Sequence, residues 1–99
     1  MDSSKSKVAP CTCVSHDDKN GRMKIEVEMP GVAKDTISLD MRRDGFCVSA
    51  PRGDTEYAGC FTLAHEVEPG RTEAKYENGV LSIFAPIKDW DQKSRIEIR

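Results

Sequence analysis

No stretch of this 99-residue chain approaches the ~20 consecutive apolar residues that a membrane helix needs. The opening MDSSKSK has no apolar segment of the secretory kind, so the default expectation is a cytoplasmic protein with no membrane partner. Nor is there a basic stripe: net charge is −2, with both signs interleaved, which argues against nucleic acid as a partner. Glycines stand singly, as at Gly31, Gly45, Gly53, Gly59, Gly70 and Gly79, and no phosphate-cradling loop can be built from them. Cys47 or Cys60 could in principle act with His16 or His65, but no motif sets either thiol beside a histidine or a helix N-terminus. The chain therefore reads as a non-enzyme that needs no cofactor. A helical apolar stripe is missing too, and no internal repeat is visible.

What the chain does have is alternation of period two. Met23, Ile25, Val27 and Met29 alternate with Lys24, Glu26 and Glu28, and Pro30-Gly31 ends that run. Ile37, Leu39 and Met41 alternate with Ser38, Asp40 and Arg42. Asp44-Gly45 reads as a tight turn into a partner strand with Phe46, Val48 and Ala50 facing inward. Tyr57 to Leu63 makes a further short strand, and Asn20-Gly21 joins a first strand around Cys11–Val14 to the one at Met23. Asn78-Gly79, between Thr72–Tyr76 and Val80–Ala85, is the strongest hairpin signal. Seven or eight short strands with frequent turns predict an all-β protein of two packed antiparallel sheets. Residues 1–9 are expected to be a short disordered arm, 10–86 the sandwich, and 87–99 a C-terminal extension that carries Trp90 and ends in RIEIR.

Four cysteines, Cys11, Cys13, Cys47 and Cys60, admit two disulfides, but without an export signal they are expected to be reduced and buried as small hydrophobes. CTCVSH gathers Cys11, Cys13 and His16, three soft ligands. A closed zinc site wants four, and no second cysteine pair is available, so no metal site is assigned.

EAKYENGVLSIFAP, residues 73–86, resembles the signature that closes the α-crystallin domain of small heat-shock proteins. Ala74, Asn78, Gly79, Val80, Leu81, Ile83 and Pro86 fill the signature places. VEMPGVAKDTISLDM resembles an earlier strand, turn and strand of that family, with Pro30 and Gly31 at the turn, and the terminal Ile96-Glu97-Ile98 has a counterpart in the family's Ile-X-Ile tail. The resemblance spans roughly residues 8 to 99. It implies an immunoglobulin-like antiparallel β-sandwich and an ATP-independent holdase that binds partly unfolded client proteins and limits their aggregation. It further implies that Ile96 and Ile98 anchor the tail between the strands Ile37–Met41 and Thr72–Tyr76, usually on a neighbouring subunit. Ile37, Leu39, Met41 and Tyr76 are then candidate groove residues; periodicity alone fits plain core packing equally well.

The chain also departs from the family pattern. Gly59 stands where an arginine of a dimer ion pair is usual, and Ala64 where a proline is usual. The connection 51–56, PRGDTE, is too short to leave the domain, pair with a neighbour and return. These features, with the polar arm, predict a homodimer or small homo-oligomer. A non-holdase protein-binding module, such as a CS-like co-chaperone or scaffold domain, is the alternative reading.

Overall fold

The computed structural model describes residues 6–89 and 96–99. Eight strands form: β1 (Ser6–Val8), β2 (Cys11–Asp17), β3 (Arg22–Glu28), β4 (Ser38–Arg42), β5 (Gly45–Arg52), β6 (Thr55–Thr62), β7 (Glu73–Glu77) and β8 (Val80–Pro86). They make two four-stranded sheets, ordered β1-β6-β5-β4 and β2-β3-β8-β7. Single 3₁₀ turns at Lys34–Thr36 and Pro69–Arg71 are the sole helical segments among the described residues. The all-β sandwich expected from the alternation is the fold observed.

The inner faces follow the period-two reading. Met23, Ile25, Val27 and Met29 on and just after β3 are buried, as are Leu81, Ile83 and Ala85 on β8, and they face Phe46, Val48 and Ala50 of β5. On the central strands β3, β5 and β8 the inward residues are sealed; on β6, flanked by the three-residue β1, Tyr57 and Phe61 stay half-buried, as inward residues of the edge strands do. Val67 and Ile87 close one end through an isolated bridge, which carries the packed core one residue past the boundary expected at 86.

Turn chemistry sets the registers. Asn78 and Gly79 both have positive φ, 54° and 80°, as a two-residue hairpin turn between Glu77 and Val80 requires. The turn expected at Asp44-Gly45 lies one residue earlier, on Arg43-Asp44, and Gly45 is the first residue of β5, opposite Thr62. A Cβ on Gly45 would collide with the Phe61 carbonyl oxygen, so the glycine serves close strand approach there.

Three expectations change. PRGDTE is not a loop: β5 runs to Arg52, β6 starts at Thr55, and Gly53-Asp54 alone make the turn. Ser6–Val8, assigned to a disordered arm, pairs in parallel with Thr55–Tyr57 at the outer edge of β6. The cysteines are neither all reduced nor buried. Cys47 and Cys60 form a cross-strand disulfide, whereas Cys11 and Cys13 are exposed free thiols. The two-residue turn puts Cys47 directly opposite Cys60, and both point outward because Phe46 and Val48 on either side of Cys47 point in. Strand register is what brings the two sulfurs within bonding reach.

Candidate functional site

Within the second sheet, the family-signature residues are mainly turn builders. Met29 N–H donates to the Gly79 carbonyl at 2.8 Å, and a Cβ on Gly79 would stand 3.2 Å from Pro30 Cα. The Pro30-Gly31 and Asn78-Gly79 turns, distant in sequence, thus pack directly on each other. Leu81 is core, and Val80 is half-buried. These residues position the adjoining edge strand β7.

The linker Pro10 lies against Gly59, and His16 meets His65, so β2 lies over the β6 side of the first sheet. The sheet orders then leave β4 and β7 as the two edges of the opposite flank. On β4, Leu39 and Met41 pair with buried Val48 and Phe46, so they point inward, and with Ile37 they pack against the core while remaining half-buried. On β7, Ala74 and Tyr76 pair with buried Ile83 and Leu81 and also point inward. Ala74 is nevertheless exposed, since its methyl group is too short to cover the seam. Tyr76 has a second duty: its hydroxyl donates to the Met29 carbonyl at 2.7 Å and ties β7 to the end of β3.

The structure therefore brings Ile37, Leu39, Met41 and Tyr76 to one flank, each part core and part surface. Ile96 and Ile98 are not among them. They stand 75% and 93% exposed, and the segment 90–95, including Trp90 and Arg95, lies outside the described residues. CTCVSH is split by strand phase. Cys11 and Cys13 share the outer face of β2, while His16, opposite the buried Met23, turns to the inner side. Among the described residues no group of three or more His, Cys, Asp or Glu is placed to hold a metal ion.

Sequence reasoning missed two features: the Cys47–Cys60 bond and the His16–His65 contact. The first had a readable signal, because a Gly-Asp two-residue turn after Arg52 aligns 47 with 60. The second had none, since it joins β2 to the distant connection that follows β6.

Comparison with known proteins agrees with this architecture. The chain is 30% identical over 88 residues to the 18 kDa antigen 2 of Mycobacterium avium, an alignment spanning 75% of this chain and 64% of the antigen. It is 26% identical over 106 residues to a probable 15 kDa heat shock protein of Leptospira interrogans, covering 93% of this chain and 79% of that one. Heat shock protein 16.0 from Schizosaccharomyces pombe superposes with a TM-score of 0.73 at 19% identity, over 94% of this chain and 77% of that chain. A small heat-shock protein from Xylella fastidiosa, described as having a distinct high order structure, superposes at 0.71 and 17% identity, over 93% of this chain and 97% of that chain. No protein-family model matches. The sandwich, its order of strands and its paired turns define an α-crystallin domain. In sequence and in fold the chain is similar to small heat-shock proteins.

Proposed function

We propose that the protein is an ATP-independent holdase whose β4/β7 flank receives extended apolar segments. The carrying observation is the row Ile37, Leu39 and Met41, inward-pointing yet half-buried on a sheet edge that has no strand partner among the described residues. Such an edge offers backbone N–H and C=O groups for strand addition, and the row offers apolar area at alternate positions of an added strand. A client that has lost part of its structure supplies both needs. Nothing in that exchange requires nucleotide chemistry or a cofactor.

The tail is the built-in competitor. Ile96 and Ile98 expose apolar surface in the single chain, and the same edge on a neighbouring subunit is the complement they fit. Fully burying two isoleucines contributes roughly 3–6 kcal/mol, against ~1–2 kcal/mol of backbone entropy for each residue ordered. One docked tail is thus weak and reversible; a pair exchanged within a dimer holds far better through effective concentration. A small cytoplasmic homo-oligomer is part of this reading. It is supported by the two-residue Gly53-Asp54 turn, which leaves no excursion between β5 and β6 to exchange with a neighbour.

Light scattering of a heat-aggregating model protein tests the activity, with native mass measured alongside. Suppression at near-stoichiometric ratio, independent of ATP, is the expected result; no suppression at several-fold excess leaves a binding module without holdase activity. Hydrogen exchange on residues 95–99 tests the tail. Amides slower than an unstructured chain are expected, and Ile96→Ala with Ile98→Ala should bring them to the free rate. Exchange at that rate in the unmodified protein would exclude docking.

A further inference from the structure

We infer that His16 and His65 form a two-histidine site for a first-row divalent cation of the zinc, nickel or copper class, clipping β2 to the connection that follows β6. The rings meet with centroids 4.8 Å apart and planes inclined at 60°. A Zn–N bond of about 2.0–2.1 Å places an ion roughly 3.2 Å from each ring centre. Two such vectors meeting between a right angle and a tetrahedral one hold the centres about 4.5–5.2 Å apart. The observed separation falls within that interval without any movement of the backbone.

Both histidines are exposed, yet each stands on an anchored piece of chain. His16 is held by the β2–β3 ladder opposite Met23. His65 sits between buried Leu63 and Val67, whose amides donate to the Asp44 and Arg43 carbonyls at 2.8 and 2.7 Å. The two rings are therefore already gathered, rotation about the side-chain bonds can aim a nitrogen of each at one ion, and solvent access leaves the remaining coordination positions to water. Imidazole nitrogen suits these ions and leaves magnesium or calcium, which prefer oxygen, without a partner. Cys11 and Cys13 do not complete the site, since they face the other side of β2.

Isothermal titration of the whole chain with Zn²⁺ should show one ion bound per chain. His16→Ala and His65→Ala should each weaken binding by roughly tenfold or more, and Cys11→Ser with Cys13→Ser should leave it within about twofold. Zn²⁺ should also raise the thermal midpoint of the unmodified chain and of the serine variant, and of neither histidine variant. Thermal unfolding without metal confirms that each variant is folded. Should a histidine variant misfold, Cu²⁺ broadening of both imidazole proton signals in the unmodified protein reads the site directly. No saturable binding by about millimolar Zn²⁺, binding that survives either histidine substitution, or binding lost in the serine variant would each overturn the assignment.

Discussion

At one flank of the sandwich, β4, the residue before it and β7 present Ile37, Leu39, Met41 and Tyr76; at the other, β2 presents Thr12, Val14 and His16, with His65 alongside. Both flanks arise for the same reason, that stacked sheets cannot close their own edges. The rows differ in chemistry. The first is apolar and half-covered, so it favours an added strand. The second mixes a threonine, a valine 47% exposed and two imidazoles, so it favours water and polar ligands. One fold thus makes two different surfaces from its edge strands, and the inward residues there decide which is which.

The largest expected effect lies on the hairpin that spans the sheet between these flanks. The Cys47–Cys60 bond closes a separation of 13 residues, for which loop-closure entropy gives about 3 kcal/mol. Cys47→Ser with Cys60→Ser should lower the melting temperature by more than about 10 °C. Excess reductant should reproduce that loss in the unmodified protein. An unmodified chain whose melting is indifferent to reductant would mean the bond does not form in solution.

A second change separates the flanks directly. Leu39→Asp puts a carboxylate into the half-buried row and should cost about 1–3 kcal/mol, with most of the protection against client aggregation lost. Val14→Asp, at the exposed place on the other flank, should cost under about 1 kcal/mol and leave protection intact. Equal loss from both substitutions would erase the distinction.

Tyr76→Phe keeps the apolar ring and removes only the hydrogen bond to the Met29 carbonyl. We expect a loss of about 1 kcal/mol in denaturant unfolding, with client protection unchanged. Protection falling while stability holds would show that the hydroxyl contacts clients rather than merely tying β7 down.

The smallest effect belongs to the β2–β3 turn. The Asn20 side-chain amide, and then the Arg22 guanidinium at 2.9 Å, hold the Asp17 carboxyl below its ordinary value. A carboxylate depressed on folding stabilises the fold above its unfolded pKa, and that contribution is lost as pH falls through the folded value. Asp17→Asn should therefore lower the melting temperature slightly at neutral pH and converge with the unmodified protein in acid. A difference that persists below the carboxylate range would point to packing rather than charge.

Much of this was legible in the residues. Met23, Ile25, Val27, Leu81 and Ile83 read directly as inward positions because strand period leaves them no other face, and Asn78-Gly79 placed its hairpin to the residue. The partner of Ser6–Val8 was not legible, since three exposed residues carry no apolar pattern and their strand comes from the free edge of β6. Read as a plain connection, PRGDTE hides the cysteine pairing; with four of its residues in strand, the register follows.

By itself the sequence determined the alternation, the turns, and hence two sheets with apolar inner faces, because those depend on neighbours two to four residues away. Tertiary structure alone decided which strands would be edges. It made Ile37, Leu39 and Met41 half-buried where the equally alternating Met23, Ile25 and Val27 are sealed, and it brought His65, in the connection after β6, to His16 on β2. Local backbone geometry sets the direction a side chain points, but what stands in front of it depends on how distant parts of the chain pack.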